Sequence, residues 1–123
     1  MTDSAPRRRR VLVAAVTADE AESLRALLSV WGCDVRTVTD GATVVAAAKA
    51  FRPGVALLDL RLDGTDGTDV ARRLRSSPDL GRVTLVALAG RGAARRAHTP
   101  SDEFDHLLTL PVDPEALRRI AVG

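Results

Sequence analysis

Asp59 is the residue with the strongest claim to chemistry. It closes the run Val55-Ala56-Leu57-Leu58, four apolar residues leading into one carboxylate, and a Gly- and Asp-rich turn follows as far as Gly67. A continuous apolar run of this kind reads as a central strand buried on both faces of a parallel sheet. In open α/β folds, ligands and reacting groups collect at the carboxyl ends of such strands, where Asp59 stands. No catalytic partner accompanies it. His98 and His106 lack metal-ligand spacing, and no base, nucleophile pair or metal cluster converges, so an independent enzyme is not expected.

The rest of the chain must supply the elements that hold Asp59. At 123 residues there is room for one domain with a proper core. Hydrophobic residues make up 46% and charged residues 28%, the balance of a soluble globular protein. Aromatic residues are only 2%, so Ala, Val and Leu must fill the interior. The net charge of +2 is too even to argue for a nucleic-acid partner, and seventeen of the eighteen basic residues are arginine, Lys49 being the exception. A lone cysteine, Cys33, excludes an internal disulfide and fits a reducing compartment. No apolar run approaches the roughly eighteen residues of a membrane span, and no signal-peptide pattern opens the chain. The expectation is a cytoplasmic protein.

Residues 1–9 read as a flexible basic tail and residues 10–123 as one domain. The tail's arginine run is short and has no interleaved aromatic, which favours a solvated lead-in over an electrostatic patch. Val11 to Val16 is a strand expected to be buried on both faces. Thr17-Ala18-Asp19-Glu20 spells a capping box, with Thr17 accepting from the Glu20 N–H while Glu20 reaches back. Leu24, Leu27, Leu28 and Trp31 then form one stripe of a helix stopped at Gly32. Cys33 to Val38 alternates as an edge strand does. Thr39-Asp40-Gly41 leads into a second helix with Val44, Val45, Ala47, Ala48 and Phe51 on its packing face, ended by Pro53-Gly54.

After Asp59 a third helix spans Thr68 to Arg75, and Val83 to Leu88 is a fourth strand. Ala93 to His98 supports at most a short, frayed helix, because no side chain larger than Ala is available to bury and Pro100 cuts the segment. Asp105 to Leu110 restores strand character. Asp113 then caps a last helix from Pro114 to about Ala121, with proline in its first turn. Strands and helices in strict alternation imply a parallel sheet covered on both faces, with right-handed crossovers.

Four features in this order resemble the receiver domain of bacterial two-component response regulators, from Arg10 to Ile120. They are the strand ending in Asp59, the Asp66-Gly67 turn, the strand Leu85-Val86-Ala87-Leu88, and Pro111-Val112-Asp113-Pro114-Glu115-Ala116-Leu117 after the fifth strand. The resemblance implies an α/β, flavodoxin-like (βα)5 three-layer sandwich. Its parallel five-stranded sheet has order 2-1-3-4-5, here with a shortened or irregular fourth helix. It also implies a cis peptide at Leu110-Pro111.

In that family the central aspartate takes a phosphoryl group from a histidine kinase, and Asp59 holds this phosphoacceptor position. The reaction needs a divalent cation and fixed donors to neutralise charge. The family draws these from two acidic residues after the first strand, a Ser or Thr after the fourth and a Lys after the fifth. This chain has Ala15 and Val16, Ala89, and Leu110 at those positions, so the ligands for Mg²⁺ are missing and no cofactor is expected. Asp19, Glu20 and Asp63 are the possible displaced acidic ligands, though Asp19 and Glu20 better suit a helix start and Asp63 a turn. Arg61 or Arg91 could replace the missing Lys or pin Asp59 in an ion pair. Ringed by aliphatic residues, Asp59 is expected to have a raised pKa unless an arginine folds over it.

The resulting reading is a degenerate, or pseudo-, receiver that signals by protein-protein interaction in one conformation. Its partner would be a histidine kinase or another regulator, with a homodimer possible and no DNA-binding output domain or membrane contact expected. The surfaces in view are the first helix, the fifth helix and the segment from Arg91 to Asp102, which carries Arg95 and Arg96. A conventional phosphoacceptor using Asp59 is one alternative. A small-molecule sensor using the crevice beside Asp59 is another.

Overall fold

A computed structural model of the chain describes residues 9–62, 67–90 and 103–123. Its strands are β1 (Arg10–Ala14), β2 (Asp34–Val38), β3 (Val55–Asp59), β4 (Thr84–Ala89) and β5 (His106–Thr109). The helices are α1 (Ala18–Val30), α2 (Val44–Phe51), α3 (Gly67–Arg75) and a C-terminal α4 (Pro114–Val122), with 3-10 turns at Gly41–Thr43 and Pro78–Leu80. The strands pair parallel throughout in the order β2-β1-β3-β4-β5, the flavodoxin-like arrangement expected from the sequence.

Side-chain alternation along the strands divides the core into two layers. Leu12, Ala14, Ala56, Leu58, Leu85 and Ala87 face α2 and α3, where Val44, Ala48, Phe51, Val70, Ala71 and Leu74 meet them. Val11, Val13, Val55, Leu57, Val86 and Leu88 face the opposite way, onto Ala21, Leu24 and Leu28 of α1 and Leu117 and Ala121 of α4. All five residues of β3 are buried, as a central strand covered by helices on both sides requires. This parity decides the location of the site. Asp59 continues the Val55 and Leu57 series, so its carboxylate emerges on the α1 side.

Local chemistry fixes the ends of the elements. Asp113 Oδ1 accepts from the Glu115 N–H at 3.3 Å with Pro114 in the first turn, as expected. Gly32, with φ of 86°, stops α1 after Trp31, and Trp31 packs against the α1 layer. The last turn of α2 closes on Arg52, which takes the left-handed conformation (φ 55°) usually left to glycine. Leu110-Pro111 is cis.

Three differences from the sequence reading have physical causes. Val16 is not buried: β1 ends at Ala14, Ala15 still donates to Val38 O at 3.0 Å, and the chain then turns outward, leaving Val16 37% exposed. Arg9, expected as the last residue of the tail, is already hydrogen-bonded to the sheet margin, its carbonyl accepting from the Asp34 N–H at 2.9 Å just before β1 begins at Arg10. The fourth strand is Thr84–Ala89, one residue later than the apolar run suggests, since its pairing with β3 begins at Thr84 opposite Val55. The expected helix at Ala93 to His98 lies outside the described residues.

The returning chain before β5 is fastened to the end of α3 chiefly by hydrogen bonds from Arg75. Arg75, the last residue of α3, donates from Nη1 to Val83 O at 2.7 Å and from Nε and Nη2 to Glu103 O at 3.0 and 2.9 Å. Its Nη2 also reaches Asp105 Oδ2 at 2.6 Å, and the same oxygen accepts from the Leu85 N–H at 2.9 Å. At the opposite margin, the edge strand β2 presents Arg36 over the Phe51 ring at 4.8 Å from its centroid, with Arg10 at 6.0 Å.

Candidate functional site

Asp59 is completely buried at the end of β3. On one side it pairs in register with Leu88 of β4. On the other, the register of Val13 with Leu57 and Ala14 with Leu58 brings Ala15 alongside it. Ala15 and Ala89 are fully buried, Leu110 is half-buried and packs on the α1 layer, and Val16 points toward solvent. The aliphatic surroundings expected of Asp59 are thus present at Ala15, with Leu88 as a neighbour that the sequence reading did not single out.

A counter-charge is present as well. Arg61 lies two residues beyond Asp59, so its backbone and side chain return to the same face. Its N–H donates to Asp59 Oδ1 at 2.8 Å in an Asx-type turn. The side chain grips both carboxylate oxygens, Nε on Oδ1 at 3.0 Å and Nη2 on Oδ2 at 2.7 Å. Nη2 also reaches Glu20 Oε1, at 3.1 Å, in the first turn of α1. One guanidinium therefore joins two acids from two elements.

Glu20 consequently makes only half of the expected capping box. Thr17 Oγ1 accepts from the Glu20 N–H at 3.1 Å, but the Glu20 side chain turns toward Arg61 instead of reaching back to Thr17. The pull of the Arg61 guanidinium, itself anchored on the buried Asp59, outweighs the reciprocal cap. Asp19 is exposed on the outer side of the same turn, and Asp63 and Arg91 lie outside the described residues. Of the acids singled out as displaced ligands, Glu20 alone among the described residues is brought to Asp59.

The electrostatics follow from this geometry. Burial on its own pushes the Asp59 carboxyl up. The Arg61 side chain, a hydrogen bond shared with Glu20, the Arg61 N–H and the Arg61 charge outweigh it, and hold the group below the usual aspartate range. The expectation of a raised pKa held unless an arginine covered Asp59, and Arg61 does cover it. Glu20 moves the other way. Burial, the shared hydrogen bond and the negative charge of Asp59 push it up to about 7, against the lowering effect of Arg61. Its second oxygen, Oε2, is buried without a donor, consistent with a carboxyl that keeps its proton beside a carboxylate. Hydrogen bonding to Asp59, followed by the charges of both acids, raises the Arg61 guanidinium further above its normal range, although burial opposes this.

Beside this triad lies a crevice of about 500 Å³. Leu24 and Leu27 of α1 line one wall, and Leu110, Pro111 and Val112 of the β5–α4 connection line the other, with Glu20 and Arg61 closing one end. Glu20, Leu24 and Leu27 stand at i, i+4 and i+7, so a single helix face carries both the acid and the apolar wall. Cys33 is buried, and burial raises its thiol above the normal range. It serves as a core residue and is remote from the triad in the fold. His106 is exposed on β5, and among the described residues no three His, Cys, Asp or Glu side chains are grouped closely enough to hold a metal ion.

A doubly wound parallel sheet with a buried acid at the carboxyl end of its central strand defines the class: a flavodoxin-like α/β domain with its site at the strand ends. The chain belongs to the response regulator receiver domain family, whose model matches residues 11–121. It is 39% identical over 80 residues to the DNA-binding response regulator MtrA of Mycolicibacterium paratuberculosis, covering 65% of this chain and 36% of that protein. It is 33% identical over 107 residues to the response regulator PleD of Caulobacter vibrioides, covering 85% of this chain and 23% of that one. The chain thus spans about a third of MtrA and less of PleD.

Among solved structures, it superposes on a CheY-like receiver domain from Methylobacillus flagellatus with TM-score 0.81 at 24% identity, covering 93% of this chain and 96% of that one. The receiver domain of the sensor histidine kinase PA1611 from Pseudomonas aeruginosa, which has a magnesium ion coordinated in its active-site cleft, gives 0.81 at 24% identity, covering 94% and 95%. These likenesses establish the receiver fold. Among the described residues no helix is long and apolar enough to cross a membrane.

Proposed function

We propose that this receiver domain is a pseudo-receiver, a signalling module that docks to a protein partner without being phosphorylated. The observation that carries the reading is the bidentate grip of Arg61 on the buried Asp59 carboxylate. Attack on a phosphoryl group requires a free carboxylate oxygen and positive charge poised for the incoming phosphate. Here both oxygens and the positive charge are engaged with each other.

The donor set does not fit the Mg²⁺ that the family implies. A hard divalent cation wants several free oxygens in near-octahedral array. Asp59 gives both of its oxygens to Arg61, Glu20 gives one, and the remaining Glu20 oxygen belongs to a carboxyl that holds its proton up to about pH 7. Ala15, Val16, Ala89 and Leu110 contribute no side-chain oxygen, hydroxyl or ammonium. Asp59 is accordingly read as a structural anion, and no catalytic residue is assigned.

The partner is a protein such as a histidine kinase or another regulator, which lays an apolar helix against α1 and the β5–α4 connection. The crevice between Leu24, Leu27, Leu110 and Val112 supports this, being apolar away from Glu20 and Arg61 and walled on one side by a single helix face. The same crevice supports a second reading, a small-molecule site, at a volume within the range of ligand pockets. The experiment that decides is addition of Mg²⁺ with beryllofluoride, followed by backbone-amide NMR. Unchanged resonances at Asp59 to Arg61 are expected. Shifts there, or phosphate stably bound to Asp59 after treatment with acetyl phosphate, would return the chain to the conventional phosphoacceptors.

A further inference from the structure

We propose that Arg61 is a tethered cation filling the acidic end of the sheet, so that this side chain, as well as the lack of further ligands, keeps divalent cations from Asp59 and Glu20. The inference rests on the pseudo-receiver reading and adds to it the device that closes the site. Nη2 of Arg61 stands 2.7 Å from Asp59 Oδ2 and 3.1 Å from Glu20 Oε1, bridging carboxylates supplied by separate elements. Two acids brought together without a cation between them would repel. Arg61 is two residues from Asp59 in sequence, so its effective concentration at the site does not fall with dilution.

A divalent ion would have to displace three hydrogen bonds to Asp59 and one to Glu20, and then share the space with a guanidinium. Within the same cluster, Glu20 Oε2 is buried and no donor reaches it, so Arg61 leaves this oxygen uncovered. With the guanidinium gone, the cluster offers the oxygens of both acids to an external cation.

The test uses the whole chain, labelled with ¹⁵N and titrated with Mn²⁺, whose unpaired electrons broaden nearby amides. The wild type should show no selective broadening around Glu20 and Asp59 to Arg61. Arg61→Gln should show it at roughly tenfold lower Mn²⁺, the loss of a competitor worth one decade, and adding Glu20→Gln should abolish the gain. Arg61→Lys, which keeps a charge but cannot span two carboxylates in fixed fork geometry, should fall between, and it serves as the test if Arg61→Gln does not fold. Equal titrations for wild type and variants, whether weak or strong, overturn the role of Arg61. The pseudo-receiver reading is judged separately by phosphate on wild-type Asp59: no gain and no phosphate sinks only the tethered cation, while phosphate sinks the reading beneath it.

Discussion

Arg61 binds Asp59 by its backbone N–H and its guanidinium together, closing a ring over only two residues of chain. The acid is wholly buried while the Arg61 side chain is 47% exposed, so the pair is anchored on the carboxylate side. Removing the arginine strands a buried anion. Arg61→Ala is expected to lose roughly 2 kcal/mol, less than a fully buried pair because water screens the arginine. Asp59→Asn in the same background should recover part of that loss, and urea unfolding of the two single variants and the double variant would measure the coupling.

Glu20 sets the pH response near neutrality. Its carboxyl is raised from 4.5 to about 7 in the folded chain, so across that window the native state holds a proton that the unfolded chain has released. Stability from this group is complete below the lower value and is lost as pH rises through the upper one. The wild type should therefore lose Tm between about pH 5 and about pH 8, and Glu20→Gln should flatten that fall. An identical fall in both proteins would contradict the assignment.

Acid acts through different groups. Asp59, fully buried, and Asp105, largely exposed, are both held below the usual aspartate range against the opposing effect of desolvation. Arg61 and Glu20 stabilise the first carboxylate, and the Leu85 N–H and Arg75 stabilise the second. Their contributions are present above the unfolded aspartate value of about 3.9 and disappear as pH falls through the lower folded values. Asp105→Asn should shallow the acid-unfolding curve, monitored by circular dichroism.

Arg75 fastens the end of α3 to the chain entering β5. Arg75→Ala removes donors from Val83 O, Glu103 O and Asp105 at once, and a loss of roughly 1–3 kcal/mol is expected. Hydrogen exchange should show it first at the Leu85 and Asp105 amides, which bond across this junction.

Leu117 is the anchor of the C-terminal helix, fully buried against the α1 layer. Leu117→Ala should cost about 2–5 kcal/mol in urea unfolding. Leu27→Ala on the crevice wall, where the side chain is only half-buried, should cost about 1 kcal/mol or less.

The sheet was legible because the inner strands are apolar runs and the edge strand β2 alternates, patterns of strand length with few alternatives, and the order follows from the receiver resemblance borne out by the pairing. The site was legible only in part. Asp59 stood out by its position, but the fate of Glu20 was hidden: its spacing from Thr17 satisfies a capping box, and only the folded proximity of Arg61 offers something stronger. The Asp59-Leu60-Arg61 spacing did carry a signal, since an acid and an arginine two apart at a strand end share a face. Arg75 carried none, because its partners Glu103 and Asp105 lie about thirty residues away in the chain, and outward-facing arginines on a helix look alike in sequence.

The arrangement at Phe51 bears on how copies of this domain behave in a crowded solution. Among the described residues β2 is an edge strand, and a flat apolar strand in that place would invite a neighbour to zip on. Arg36 stands on that margin, stacked on the Phe51 ring with Arg10 close by, and it shares the exposed face of β2 with Asp34. Charged side chains on an edge strand disfavour edge-to-edge pairing of two copies.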